Sequence, residues 1–474
     1  MSGQRTPDVL VVGGGLVGLT MALLLRHHGL AVTLVERRIT TSAQPKARRF
    51  HMRTMEIFRE LGLADLVQHA ARDLAGHDHM AEGRTLAEST QLPLRLPQGD
   101  EAARLSPELP CLIAQDLLEP VLRAAAVDAG ASVRFDTELL GVTQTADGVV
   151  GHVPGEDITA AYLVAADGAR SGVRESSHIT RSGRGAVGGP MVNVYLHADL
   201  AEVVRGREFN LCRIGHPDAP GALASVDGRM RWVFMTAGDT ERDWPALLRT
   251  ALGVPAPDLR ILSVLPWQAE MLVADRYSVG RVHLAGDAAH VMPPYAASGA
   301  NTGIADAHNL AWKLAAVLRG DAAPALLDSY DAERRPAGWF MADQSTRWSA
   351  AFGSGVADPT LADPFALAAG GFQYREGALV PDGSIEPVTE FAPAGRPGTR
   401  VPHRWLDDAN RLSTMDLAGP DWAILTADRV DFLGPGECLL LRPDDVVAWR
   451  GRSIAEAAVV RDRLCGVATP SRQA

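Results

Sequence analysis

Asp8-Val9-Leu10-Val11-Val12-Gly13-Gly14-Gly15-Leu16-Val17-Gly18 is the stretch that decides the fold. After Asp8 it is apolar up to the first glycine, as a parallel strand buried on both faces is. Gly13, Gly15 and Gly18 then spell GxGxxG, an apolar helix follows to about His28, and Gly29 closes it as a C-cap. Ala31 to Val35 reads as a second strand ending at Glu36. Gly13 permits the tight turn, Gly15 lets the backbone approach a pyrophosphate, and Gly18 lets helix and strand pack closely. The helix N-terminus offers free amides and partial positive charge to that pyrophosphate. Glu36, eighteen residues past Gly18, stands where a carboxylate accepts hydrogen bonds from the adenosine ribose hydroxyls. Strand, glycine turn, helix, strand and acid together predict a dinucleotide-binding α/β unit.

Gly183, Gly185 and Gly188 spell GxGxxG a second time. Ser176 to Ser182 before them is mostly polar, and Met191 to Leu196 after them reads as a strand instead of a helix. The expectation here is a glycine-rich loop, so one dinucleotide fold serves the chain.

Outside these stretches the chain is ordinary. Its 474 residues allow about three domains. Hydrophobic residues make up 46% and charged residues 22%, which excludes a disordered chain. A net charge of −11 argues against a nucleic-acid partner. Cys111, Cys212, Cys438 and Cys465 lie too far apart for a CxxC pair or a zinc knuckle and read as reduced thiols of a cytoplasmic protein. The most membrane-like run, Val9 to Leu25, is short and carries four glycines, so no membrane span is expected. His77-Asp78-His79, with His69 nearby, lacks a third spaced ligand, and no metal is assigned.

Two further signatures narrow the ligand. Tyr162 to Ala166 reads as a strand leading into Asp167-Gly168-Ala169-Arg170-Ser171, with Arg174 one turn later. Gly280 to Ala285 leads into Gly286-Asp287-Ala288-Ala289-His290, then Pro293-Pro294 and Gly299-Ala300-Asn301-Thr302-Gly303. In order and spacing these motifs resemble the single-component FAD-dependent aromatic hydroxylases, in the branch acting on phenols and aromatic polyketides. The resemblance covers nearly the whole chain.

It implies a Rossmann-type FAD-binding domain with an inserted β-sheet substrate domain and a C-terminal thioredoxin-like domain. The boundaries expected are 1–174 for the first FAD-binding part, with an excursion into the substrate domain near 75–100. Residues 175–275 would form the substrate sheet, 276–345 the second FAD-binding part, closing at Glu333-Arg334-Arg335-Pro336, and 355–474 the C-terminal domain. Without CxxC that last domain is left with packing or subunit contact. Ala392 to Val401 reads as a linker, and Asp416 to Thr426 and Gly436 to Trp449 as strands.

The expected FAD contacts are Gly13, Gly15, Gly18, Glu36, Arg37, Lys46, Gln115, Asp167, Gly168, Gly286, Asp287, Pro294, Gly299, Ala300 and Asn301. Lys46 stands where the family usually has arginine, keeping the charge without the planar fork. The helix running through Ile304, Ala307, Leu310, Ala311, Leu314, Val317 and Leu318, and ending at Gly320, would aim its N-terminal amides at the flavin. Candidate substrate contacts are Phe209, Arg213, Trp232, Phe234, Trp267 and Met271.

No catalytic side chain is identified, and Pro293, Pro294 and Ala296 are the candidates for the flavin edge. Tyr295-Ala296-Ala297-Ser298 replaces the family's usual glycine pair and polar residue, which puts methyl groups beside the flavin. The implied reaction uses FAD, NADPH or NADH, and molecular oxygen to hydroxylate a phenol or aromatic polyketide through a flavin C4a-hydroperoxide, in antibiotic-type secondary metabolism. Baeyer–Villiger oxidation by the same peroxide, and a flavin-binding protein that only sequesters an aromatic compound, are the alternatives. Halogenation is disfavoured by the absence of WxWxIP. The resemblance leaves a homodimer open.

Overall fold

The structure is a computed structural model that describes residues 6–94, 99–256, 258–354, 358–370, 372–384, 388, 390–391 and 393–467. The apolar stretch near the N-terminus becomes the strand Val9–Val12, buried throughout. It pairs in parallel with Val32–Val35 on one side and Tyr162–Ala165 on the other. Val282–Leu284 and Ser132–Arg134 extend the sheet in parallel, and Ser278–Val279 closes one edge antiparallel. Helix Leu16–His27 packs on this sheet and against the longer helix Ser298–Arg319. This six-stranded sheet is the Rossmann-type unit expected from the glycine motif.

A second sheet of eight strands rises beside it. Two long strands, Arg181–His197 and Arg260–Ala274, form its spine. Arg231–Ala237, Gly221–Ser225 and Leu211–Ile214 follow antiparallel. Met80–Gly83 then adds in parallel with Leu211–Ile214, so a segment early in the chain completes a sheet built mainly from later residues. Helix Trp244–Leu252 covers the outer face, its N-terminus capped by Asp243 Oδ1 accepting from Ala246 N at 3.0 Å.

The second glycine motif is not a loop. Gly183, Gly185 and Gly188 lie inside strand Arg181–His197, at register shifts where the strand bulges against its partner. A Cβ on Gly183 would stand 2.2 Å from the Met271 carbonyl oxygen. Glycine serves close approach of two backbones here, and the bulges bend the sheet.

Beyond helix Asp328–Ser354 the chain forms a smaller unit with a three-stranded antiparallel sheet, Ala423–Thr426, Cys438–Leu441 and Val447–Gly451, and helix Ile454–Leu464. Gly436 to Trp449 is therefore a hairpin and not one strand. The chain reverses at Arg442–Val446, where Asp445 takes φ 58°, in the left-handed region. Asp416 belongs to a short 3-10 turn with a capping box, and the strand begins only at Ala423. All four cysteines are free and buried, and burial raises their thiol pKa values, that of Cys111 to about 12. Such thiols are poor nucleophiles.

This unit is fastened by a fully buried ion cluster. Glu333 accepts from Arg442 Nη1 at 2.7 Å and Nη2 at 2.9 Å, and from Lys313 Nζ at 2.8 Å, while Arg442 also pairs with Asp444. Lys313 and Glu333 come from the long helices, Arg442 and Asp444 from the hairpin turn. Among the described residues no helix is long and apolar enough to cross a membrane.

Candidate active site

Between the carboxyl ends of the parallel strands and the concave face of the second sheet lies a cleft of about 2450 Å³. Its nucleotide end follows from the glycine turn. Gly13 has φ 106°, and a Cβ there would meet the Ala166 carbonyl oxygen at 2.3 Å. A Cβ on Gly18 would stand 1.9 Å from Gly13 O, so this glycine lets helix and turn touch. At Gly15 the nearest atom to an added Cβ is Glu119 Oε1 at 3.7 Å, so glycine is not required there by the protein's own packing. Gly15 is also the helix N-cap and has no side-chain capping bond, which leaves first-turn amides for an anion.

Glu36 lines this end of the cleft. Its Oε2 accepts from Gly14 N at 2.6 Å, and its Oε1 from Arg38 N at 2.8 Å and Arg38 Nε at 2.9 Å. Burial alone would raise this carboxyl, but the bonds from Arg38 and Gly14 hold it below the usual range, charged and oriented. Arg37, Arg38 and Lys46 also line the cleft.

Sequence reasoning missed Glu119. It sits one helical turn after Gln115, fully buried, accepting from Ser42 N at 2.6 Å and Gln115 Nε2 at 2.6 Å. Gln115 Oε1 in turn accepts from Ala47 N at 3.2 Å. Together the two residues pin the Ser42–Ala47 segment and so place Lys46. The i, i+4 spacing from Gln115 was the available signal.

Asp167 Oδ2 accepts from Val173 N at 3.2 Å, whereas Oδ1 is buried without a partner among the described residues. Burial raises this carboxyl. An orphaned buried oxygen beside a glycine cradle is what a bound dinucleotide's donors would satisfy. Asp287 opens into the cleft but is walled by protein on its other sides, and that enclosure raises its carboxyl against the pull of His290 and Lys46. Its turn is held from behind. Asp306 accepts from Gly286 N at 3.0 Å, His290 Nε2 at 2.7 Å and Arg334 Nε at 2.8 Å. These residues fit FAD.

Three expected FAD contacts are not on the cleft wall. Asn301 accepts from His51 N and Thr54 Oγ1 and donates to the carbonyls of Arg49 and Ala297, so its whole side chain is used as a tether. Gly286 and Gly18 pack behind the wall; a Cβ on Gly286 would meet Val17 Cγ2 at 2.9 Å. The others, Gly13, Gly15, Glu36, Arg37, Lys46, Gln115, Asp167, Gly168, Asp287, Pro294, Gly299 and Ala300, line the cleft. Pro293 is buried behind it, its carbonyl accepting from Ser345 Oγ at 2.6 Å. The side chain of Ala296 lies outside the described residues. Ala297 caps helix Ser298–Arg319 with φ 54° and ψ 30°, left-handed values that suit glycine better than alanine.

On the sheet side the expectation was wrong for four residues. Trp232, Phe234 and Phe209 point to the outer face, packed with Leu223, Cys212, Val194 and Leu248 of the covering helix. Trp232 donates to Ala198 O at 3.0 Å, so even its indole N–H is satisfied in the core. Met271 is buried in the core of the nucleotide unit. Successive strand residues face opposite ways, so the cleft receives their neighbours Val233, Met235, Ala222, Ala224 and Leu211.

Arg213 and Trp267 do line the cleft, Arg213 paired with Glu82 and Trp267 Nε1 donating to Asn193 Oδ1 at 2.7 Å. Asn193 was missed, as were Arg48 and Trp348, whose ring stacks on Tyr295 with centroids 5.5 Å apart. The His77–His79 segment contributes to no close metal-ligand set among the described residues.

A glycine cradle, a charged ribose acid and two motif aspartates on one cleft, facing an apolar sheet wall, define an FAD-dependent oxidoreductase with room for a second, flat ligand. A profile of the FAD binding domain family matches residues 6–345. Tetracenomycin B2 monooxygenase-dioxygenase of Streptomyces olivaceus is 39% identical, over 94% of this chain and 96% of its own. Aklavinone 12-hydroxylase of Streptomyces peucetius is 38% identical, over 89% of this chain and 91% of its own. The solved ternary complex of aklavinone-11 hydroxylase with FAD and aklavinone matches with TM-score 0.87 at 32% identity, covering 98% of this chain and 100% of that one. The chain belongs to the FAD binding domain family and is an FAD-dependent monooxygenase.

Proposed function

We propose that the protein hydroxylates a phenolic or aromatic polyketide substrate, using NADPH or NADH and molecular oxygen. The observation that carries this reading is the division of one cleft into a nucleotide end, with Gly13, Gly15, Glu36 and Asp167, and an apolar sheet wall with Val233, Met235, Ala222 and Trp267. Bound FAD supplies the redox chemistry, taking electrons from the nicotinamide and activating dioxygen.

The chain's own residues bind, orient and shield. Glu36 and the Gly13–Gly15 turn would hold the adenosine diphosphate part, Asp167 and Gly168 its pyrophosphate side, and Asp287, Lys46 and Gln115 the ribityl chain. The first-turn amides of helix Ser298–Arg319, reached through Ala297, Gly299 and Ala300 on the wall, offer partial positive charge to an electron-rich ring edge. The methyl and thioether groups of Ala222, Ala224, Val233 and Met235 exclude water from a flat aromatic ligand, while Asn193 and Arg213 give polar contacts. In this reading the eight-stranded sheet, 175–275 with the excursion near 75–100, is the substrate domain. Residues 355–474 act in packing as the thioredoxin-like unit.

The test is aerobic incubation of purified protein with NADPH and a panel of hydroxylated anthraquinones and naphthacenequinones. Ligand-stimulated NADPH consumption with a product heavier by one oxygen, bearing a new hydroxyl, supports the reading. NADPH consumption that no ligand stimulates, or a ring-expanded ester product, overturns it.

A further inference from the structure

Arg48 differs from most of the enclosed arginines in what it meets. Arg53, Arg231, Arg334, Arg400 and Arg442 each have a carboxylate within 3.1 Å, and Arg174 and Arg49 have more distant ones, Glu175 at 3.3 Å and Asp78 at 4.0 Å. Arg48 has no carboxylate partner among the described residues. Its Nη1 instead donates to three neutral acceptors of the substrate sheet: Asn210 O at 3.2 Å, Asn210 Oδ1 at 3.1 Å and Ser225 O at 2.7 Å. Its Nε and Nη2 make no hydrogen bond among the described residues, and the side chain lines the cleft. Burial alone lowers its pKa, to about 10, so it remains charged at neutral pH. An enclosed cation without a counter-ion is costly, and removing such charges from water is repaid only when an anion meets them.

The position of Arg48 selects which ligand supplies that anion. The nucleotide-binding features, the Gly13 to Gly15 turn for phosphate and Glu36 for ribose, with Arg38 beside it, belong to the nucleotide sheet and its turns. Arg48 is clamped to strand Leu211–Ile214 and its neighbour through Asn210 and Ser225, beside cleft-facing Leu211 and Ala224. Its guanidinium is therefore fixed to the substrate wall, with its unused N–H edge available as a planar fork.

We infer that Arg48 is a substrate-positioning residue that binds an anionic oxygen, a carboxylate or an ionised phenol or enol, on the aromatic ligand. This rests on the hydroxylase reading and adds to it that the preferred substrate is charged. Binding through Arg48 would orient the ring system against a sheet wall on which Arg213 is already paired with Glu82 and Asn193 with Trp267.

The experiment measures binding by equilibrium dialysis, read from the probe's own absorbance, so it does not depend on turnover. The probes are anthraquinone-2-carboxylate and anthraquinone-2-carboxamide, of equal shape and different charge, tested on the FAD-loaded protein and on Arg48→Met and Arg48→Lys. Wild type should prefer the carboxylate. Arg48→Met should weaken carboxylate binding roughly 10- to 100-fold and move the carboxamide by less than about threefold, a spread expected of a neutral contact. Arg48→Lys should recover part of the preference, and FAD content should be equal in all three proteins.

A wild type that binds both probes equally, or neither, overturns the inference. So does equal loss of both probes in Arg48→Met, or loss of FAD in place of loss of the carboxylate. Failure of the hydroxylase reading shows separately, as the absence of ligand-stimulated NADPH consumption in a protein that still distinguishes the two probes.

Discussion

The two walls of the cleft are built on different rules. On the nucleotide wall the ligand meets backbone and short side chains at turns, where glycine spacing and one acid set the geometry locally. On the sheet wall it meets one face of six strands, and which face turns inward depends on where the rest of the molecule lies. The first kind of site is written in short local motifs, above all Gly13 to Glu36; the second is written in registry between segments as distant as Met80 and Leu211. A wall of the second kind can change its chemistry by single substitutions without disturbing the turn that holds the cofactor.

The sharpest way to break this contrast is to mutate adjacent residues of strand Arg231–Ala237. Phe234→Ala should cost about 3–5 kcal/mol of stability, since its ring is fully buried on the outer face, and should leave ligand affinity nearly unchanged. Met235→Ala should do the opposite, altering the affinity for anthraquinone ligands with only a small change in melting temperature. Chemical denaturation and ligand titration of both variants check this, and equal effects on ligand binding would mean the faces are assigned wrongly.

The nucleotide wall has its own matched pair. Gly18→Ala should lower both stability and FAD retention, because its methyl would overlap Gly13 O at 1.9 Å. Gly15→Ala should leave the FAD-free protein's melting temperature nearly unchanged, with nothing closer than 3.7 Å, yet weaken FAD binding by occupying ligand space. Thermal melts with and without FAD separate the two.

A third, smaller effect concerns Asp167. Burial raises its carboxyl, so in the FAD-free protein the native state holds a proton that the unfolded chain has already released just above the ordinary aspartate range. Stability then falls as pH rises through that window. Asp167→Asn should therefore melt higher than wild type at pH 7 without FAD, lose that advantage in acid, and bind FAD more weakly. Melting curves across pH with a parallel FAD titration test the sign.

The smallest effect is at Ala297, held at φ 54°. Ala297→Gly should raise stability by about 1 kcal/mol through relief of left-handed strain. With FAD affinity unchanged, it should also alter the peroxide released per NADPH consumed. No change in either quantity would make the segment ordinary packing.

The sequence made the Rossmann unit legible because Val9 to Glu36 contains its own strand, turn, helix and strand, and the two later aspartate motifs sit at strand ends. It made the substrate strands legible by their alternation but not their facing: Trp232 and Phe234 attract attention as aromatics, and alternation does not reveal whether the helix or the cleft covers them. Glu119 was hidden because its role comes from Ser42, far away in sequence. Asn301 was misread because helix N-terminal amides and an amide side chain suggest a ligand equally well, and only the tether to His51, Thr54 and Arg49 distinguishes them. The second glycine motif misled in the same way, since bulges between long strands need glycine as much as loops do.

The buried cluster of Lys313, Glu333, Arg442 and Asp444 also bears on engineering. Two of its members come from the long helices behind the flavin site and two from the C-terminal hairpin, so the small unit is wired into the frame of the large one. Anyone building chimaeras by exchanging C-terminal segments between such enzymes inherits a charge-matching constraint at the junction. A donor segment must bring a guanidinium to the place of Arg442 and an acid to that of Asp444. Otherwise Glu333 keeps only Lys313 as a charged partner in a dry interior, and the graft is weakened where the two units join.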